Sequence, residues 1–198
     1  LELSPIIEAK KENLPITCGV CPHHLFLTED DVSTLGPYGM MKPSLKSKQD
    51  QSFLWNNLHY VDVIESDHAP HTNEEKKSPA GGSPPFGVPG LETTLPLLLT
   101  AVSEGKLTID RVIELCHTNP ARIFNIPLDK ETKIEVDVDE EYIIENKNLK
   151  TKCGWSSFDG WKVKGKVKRV FLHGKKVFED DMILAEPGSG RIIVPINN

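Results

Sequence analysis

The order of apolar and polar positions predicts a chain that begins with α/β units and ends in β structure. Leu3, Ile6 and Ile7 fall on one helical stripe that runs to about Lys11, with Pro5 tolerated in the first turn and Leu14-Pro15 ending it. Ile16 to Val20 reads as a buried strand. Thr28 with Asp31 offers a capping pair for a short helix that Gly36-Pro37 stops. Ser47 with Asp50 repeats the device before Phe53, Leu54, Trp55 and Leu58, an amphipathic helix. Val61, Val63 and Ile64 form the next strand. Helix, strand, two helices and strand in that order suit parallel β/α units.

From His68 to Pro89 the sequence turns rich in Pro, Gly, Ser and charge. A loop of that length in a compact domain is functional or disordered, and its place directly after Asp67 favours a role at a site mouth. Leu91 to Ser103 is strongly apolar and ends at Gly105, a residue suited to close a helix. Thr108 caps the next helix, and Asn119-Pro120 opens another short one. After Pro127 the period changes. Ile134, Val136 and Val138 alternate with acids, Lys162 to Lys168 alternates again, and Val170 to Phe178 reads as a hairpin turning at His173-Gly174. The lysines of this tail belong on the wet face of its strands. The expected division is residues 1–128 as an α/β portion and 129–198 as a β-rich tail.

Composition narrows the classes. A net charge of −6 over 198 residues argues against a nucleic-acid binder, which needs a basic stripe. No apolar run approaches the roughly 18 residues of a membrane span. Four cysteines at irregular spacing read as reduced thiols, and no basic-then-apolar leader opens the chain, so a cytoplasmic setting is expected. The first residue, Leu1, already leads into an apolar stripe, so the chain reads as part of a longer polypeptide.

Candidate chemistry centres on Val61-Asp62-Val63-Ile64-Glu65-Ser66-Asp67-His68-Ala69-Pro70-His71. Asp67 and His71 stand where a strand gives way to a loop, the place where parallel α/β folds keep their sites. A carboxylate there can ligate a cation or exchange a proton with an attacking water; equally, Asp67 can cap the loop and His71 be solvated. Cys18-Gly19-Val20-Cys21-Pro22-His23-His24 has a metal or thiol-exchange flavour. Against it, no second pair completes a ligand set, and on a strand residues 18 and 21 face opposite sides. Buried strand cysteines are the plainer reading. His59, His117 and His173 are assigned to surfaces, and Trp155, Phe158 and Trp161 to a core.

Ser66-Asp67-His68-Ala69-Pro70-His71-Thr72, followed by Pro85-Phe86-Gly87-Val88-Pro89-Gly90-Leu91-Glu92-Thr93, resembles the dihydroorotases of the cyclic amidohydrolase family. The nearest likeness is to the dihydroorotase domain of the animal multifunctional pyrimidine-synthesis polypeptide. It extends back through Cys21-Pro22-His23-His24-Leu25-Phe26-Leu27 and forward through Lys162-Val163-Lys164-Gly165, covering nearly the whole chain. The resemblance implies the C-terminal part of a TIM-like (β/α)8 metallo-dependent hydrolase barrel followed by a small β-rich sandwich tail. It implies two zinc ions in the complete site, with most ligands outside this chain. Asp67 is then the one carried-over ligand and the catalytic acid–base. His71, Lys42, Phe86 and Gly87 become substrate-binding residues. Lys42 stands where the animal enzyme has an Arg that binds the substrate carboxylate, so the planar two-pronged donor is missing. The Pro-His-His run is not among the family's ligands, and a structural role near the rim is implied for it.

The implied reaction is reversible hydrolysis of dihydroorotate to N-carbamoyl-aspartate in pyrimidine biosynthesis. The implied setting is a homo-oligomer, with carbamoyl-phosphate synthetase and aspartate transcarbamoylase domains as companions. With one carboxylate and two barrel strands, the chain alone is expected neither to bind zinc tightly nor to turn over substrate. Two other readings stay open: a dihydropyrimidinase- or allantoinase-like enzyme, and a non-catalytic scaffold derived from the barrel.

Overall fold

Two short strands, β1 (Gly19–Val20) and β2 (Val63–Ile64), run parallel, with Gly19 opposite Val63 and Val20 opposite Ile64. They belong to a computed structural model that describes residues 3–77 and 82–195, so residues 78–81 of the long loop and both extreme ends lie outside the described residues. Around this pair stand α1 (Leu3–Lys11), α2 (Pro22–Phe26), α3 (Glu29–Leu35) and α4 (Lys48–Asn56). The chain continues through α5 (Asn73–Lys77), α6 (Leu91–Ser103), α7 (Ile109–Ile113) and α8 (Asn119–Ile123).

The helix starts follow local chemistry. Asp31 accepts from the Thr28 backbone N–H at 2.7 Å, and Ser47 Oγ accepts from the Asp50 N–H at 3.2 Å. Each satisfies a donor that the first helical turn leaves over. Thr108 Oγ1 does the same for Arg111 N–H at 3.1 Å. Gly105 has φ +73°, the left-handed geometry that ends a helix such as α6.

Two elements differ from expectation. The strand read over Ile16 to Val20 shrinks to Gly19–Val20; the Cys18 carbonyl still accepts from the Asp62 backbone N–H at 2.9 Å, but its own N–H goes to the Asp62 carboxylate at 2.8 Å instead of a backbone carbonyl. The turn after it is helical: Pro22 at the first position starts α2, which the alternation of the sequence conceals. Asn119-Pro120 opens the short helix α8 as expected, and a π-helical turn, Glu114–Thr118, joins α7 to it. A wider turn accommodates a residue that has no N–H to give.

The N-terminal ends of the parallel strands are stitched down. Lys10 Nζ donates to Tyr60 O at 2.7 Å and pairs with the Asp62 carboxylate, while Asn119 Nδ2 donates to Asp62 O at 2.8 Å. Arg111 Nη2 donates to Val61 O at 2.6 Å. Leu3, Ile7, Val20, Leu25, Leu58, Val61 and Leu115 form the core beneath. The strands' C-terminal ends carry Cys21 and the Glu65–Asp67 segment.

The tail is a four-stranded antiparallel sheet in sequential order, β3 (Lys133–Ile143), β4 (Lys162–Leu172), β5 (Lys175–Glu179) and β6 (Met182–Ile183). His173 and Gly174 both have positive φ, +50° and +74°, as a tight hairpin turn requires. Lys162, Lys164, Lys166 and Lys168 pair with Glu141, Asp139, Glu140 and acids at 180 and 181, a solvated charged face as expected. His59, His117 and His173 are exposed.

A second core joins the tail to the helices. Leu27, Met41, Leu45, Val88 and Leu97 pack with Ile144, Trp155, Phe158 and Val163. Trp155 and Phe158 are almost wholly covered, and Trp161 packs against them from a half-buried position. Truncating one of these aromatics would cost about 3–5 kcal/mol. Among the described residues no helix is long and apolar enough to cross a membrane.

Candidate metal and substrate site

Asp67 lies three residues beyond the last residue of β2 with φ +43°. Left-handed backbone is uncommon for a residue with a side chain, and Asp is among the few that tolerate it. The turn brings the carboxylate to the end of the neighbouring strand, where Cys21 and the first turn of α2 lie. Ligand atoms of Cys21, His23 and Asp67 fall within 4.8 Å of one another.

The three differ in environment. The His23 side chain is 2% exposed, and burial, helped by the neighbouring His24, pushes its pKa down to about 3. Its Nε2 lies 3.8 Å from Asp67 Oδ2. That is too long for a hydrogen bond, and a neutral imidazole makes no ion pair. Among the described residues this Nε2 has no hydrogen-bond partner. Burial, with the carboxylates of Asp67 and Glu65 nearby, pushes the Cys21 thiol up to about 12. The Asp67 side chain remains 42% exposed.

His23 was read from sequence as structural and Cys21 as a buried strand cysteine. The structure instead gathers both around Asp67. Cys18 goes elsewhere, its Sγ 3.6 Å from Tyr60 O. What hid the cluster was α2: a Pro-initiated turn folds residue 23 back over the strand end, whereas a strand would have carried it past.

The remaining candidates meet in a second group. Ala69 N–H donates to Val88 O at 3.0 Å, and His68 and Val88 form a parallel bridge, so the segment after Asp67 runs beside residues 86–90. Lys42 Nζ sits 4.3 Å from the centre of the Phe86 ring. His71 Nε2 is 3.1 Å from Phe86 O, and its Nδ1 is 3.3 Å from Glu75 Oε2. Since a carbonyl only accepts, Nε2 carries the hydrogen. Both ring nitrogens are thus engaged within the loop, and a ligand must replace one of these partners to use His71. Gly87 has φ +127° and donates its N–H to Met40 O at 2.9 Å.

Sequence reasoning missed two supports of this group. Thr72 and Glu75 cap α5, with Thr72 N–H donating to Glu75 Oε2 at 2.9 Å and Glu75 N–H to Thr72 Oγ1 at 3.2 Å. The Thr-x-x-Glu spacing carries that signal. Lys76 is fully buried, and its Nζ donates to Pro85 O at 2.8 Å and Met40 O at 3.2 Å beneath the Trp155 ring. Nothing local in the sequence marks it. Trp155 Nε1 donates to His71 O at 2.7 Å and fixes the loop from the tail side. A separate cleft of about 550 Å³, lined by residues including Phe26, Trp55, Leu97 and Trp161, contains neither group.

No protein-family model matches the chain. Over 191 residues it is 47% identical to the multifunctional protein CAD of Squalus acanthias, covering 96% of this chain and 8% of that protein. It is 43% identical over 181 residues to a dihydroorotase of Pyrococcus furiosus, covering 88% of this chain and 42% of the relative. Its fold superposes on the L-hydantoinase of Arthrobacter aurescens with a TM-score of 0.90 at 28% identity, covering 96% of this chain and 45% of that one. An inactive dihydroorotase-like domain of a Chaetomium thermophilum CAD-like protein gives a TM-score of 0.74 at 30% identity, covering 95% and 51%. The chain spans less than half the length of the dihydroorotase it matches. Identity of this order along nearly the whole chain, on the fold of a metallo-dependent hydrolase fragment, makes the chain similar to the corresponding part of the dihydroorotases.

Proposed function

We propose that this chain supplies part of a zinc-dependent dihydroorotase, which hydrolyses dihydroorotate reversibly to N-carbamoyl-aspartate and is active only with a complementary part of the barrel. The observation that carries the reading is Asp67, set past the end of a parallel strand beside a buried, unpartnered imidazole nitrogen. In this proposal residues 1–128 are a barrel portion, with β1 and β2 as two of its staves, and residues 129–198 are its sandwich-like tail.

A cation fits the donor present: the Asp67 carboxylate, partly exposed beside the unpartnered His23 nitrogen, is a ligand type that zinc takes. Asp67 would hold it together with ligands that this chain does not contain. When bound, zinc supplies Lewis acidity toward the amide carbonyl and makes water more acidic. Asp67 takes the proton from the attacking water and returns it to the ring nitrogen as the C–N bond breaks. Lys42 attracts the carboxylate of the substrate, and the Phe86-Gly87 main chain meets the ring, with His71 donating from the same loop. In this proposal the enzyme works in the cytoplasm as a homo-oligomer, alongside carbamoyl-phosphate synthetase and aspartate transcarbamoylase activities; the likeness to a multifunctional protein supports companion activities.

The test is dihydroorotate turnover by the chain alone, and by the chain joined to or mixed with a complementary dihydroorotase portion. Turnover is expected only in the second case and is lost in Asp67→Asn. Hydantoin or dihydropyrimidine turnover in its place would favour the alternative that the hydantoinase-like fold suggests. No turnover of any ring substrate by the complemented protein would favour the scaffold reading, which the likeness to an inactive dihydroorotase-like domain supports.

A further inference from the structure

We propose that Cys21, His23 and Asp67 form a binding site for one divalent transition-metal cation of the zinc class, built within this chain. The inference rests on the reading of Asp67 as a ligand and adds two ligands that the dihydroorotase resemblance does not supply.

Three observations converge. The ligand atoms lie within 4.8 Å of one another, close enough for one ion to gather after small rotamer shifts. Ligands about 2.1 Å from a shared tetrahedral ion stand about 3.4 Å apart, and His23 Nε2 and Asp67 Oδ2 are at 3.8 Å. That separation is wrong for a hydrogen bond and close to right for co-ligands.

The second observation is the imidazole itself. A buried polar nitrogen without a partner costs free energy, and native structures seldom leave one unless something binds there. His23 is among the most buried side chains of the described residues, and its unpartnered Nε2 lies 3.8 Å from the carboxylate of Asp67, which is exposed. The third is the backbone. The positive φ of Asp67 aims a carboxylate at that nitrogen, and the Cys21 thiol stands at the N-cap of α2 without capping it. A thiol, an imidazole and a carboxylate select zinc-class ions over calcium or magnesium, which take oxygen alone. The exposed side of Asp67 leaves room for water or an external ligand in a fourth position.

The experiment is a cobalt(II) titration of the purified chain, with folding followed by far-ultraviolet circular dichroism. Cobalt reports thiolate ligation through a charge-transfer band that nitrogen and oxygen ligands do not produce. The expected result is a band saturating at one equivalent and competed away by zinc. It should be lost in Cys21→Ser and unchanged in Cys116→Ser. His23→Gln, close in shape, should weaken binding by at least about 10-fold with the fold retained. Absence of the band in the folded chain, or its survival in Cys21→Ser, overturns the site. The two proposals fail separately. Asp67-dependent turnover of the complemented protein without a thiolate band keeps the hydrolase and removes this site; a Cys21-dependent band without turnover does the reverse.

Discussion

Gly87 passes so close to Ala69 that a Cβ built on it would stand 2.3 Å from the Ala69 carbonyl oxygen. The contact clamps the Phe86-Gly87 segment onto the strand-end loop that bears Asp67 and His71. Gly87→Ala must therefore move backbone and also hold a side chain at φ +127°, which by itself costs about 1–3 kcal/mol. Urea unfolding should show a loss of more than about 2 kcal/mol. Gly19→Ala is the control, because the three atoms nearest its Cβ all belong to the movable Glu65 side chain and not to backbone, and a loss below about 1 kcal/mol is expected.

Lys76 links two segments by donating to Met40 O and Pro85 O. Lys76→Met fills similar space but takes from the Pro85 carbonyl its Lys76 donor and from Met40 O one of its two, the Gly87 N–H remaining, at an expected cost of about 1–3 kcal/mol in thermal or denaturant unfolding.

Burial lowers the Lys76 pKa from 10.5 to about 8. Between those values the unfolded chain binds the proton that the folded chain has released, so stability should rise as pH increases from about 8 to 10.5. The slope should flatten in Lys76→Met. Denaturant midpoints taken across that range check the sign.

The Pro-Gly-Leu-Glu run that strengthens the family resemblance has a mechanical role for its acid. Glu92 accepts from the backbone N–H of Lys150 at 2.8 Å and of Thr151 at 2.6 Å, tying the start of α6 to the tail. Glu92→Ala should destabilise by about 1–3 kcal/mol, as loss of a charged acceptor does. Amide exchange should accelerate at residues 150 and 151 before it does in β4.

Lys42 carries charge without the bidentate fork of an arginine. In the complemented protein, Lys42→Ala should raise KM for dihydroorotate by at least about 10-fold with little change in kcat, the mark of ground-state binding. Lys42→Arg should lower KM. A fall in kcat with KM unchanged would place Lys42 in transition-state stabilisation.

Caps, helical stripes and the His173-Gly174 hairpin were legible in the sequence because each depends on residues a few positions apart. Thr28 with Asp31, Ser47 with Asp50 and Gly105 act through neighbouring backbone donors and local φ, whatever the rest of the chain does. The period-2 pattern of the tail likewise marks its wet and covered faces directly. Asp67 at a strand end was readable for the same reason. The company it keeps was not. Cys21 and His23 lie more than forty positions away in sequence and reach Asp67 only because β1 and β2 pair in parallel and Pro22 turns the chain at once into α2. Lys76 shows the same limit, since its charge reads as solvated until two carbonyls and Trp155 close over it. Local geometry is written in neighbouring residues; which side chains end up sharing a buried space is decided by packing between distant ones.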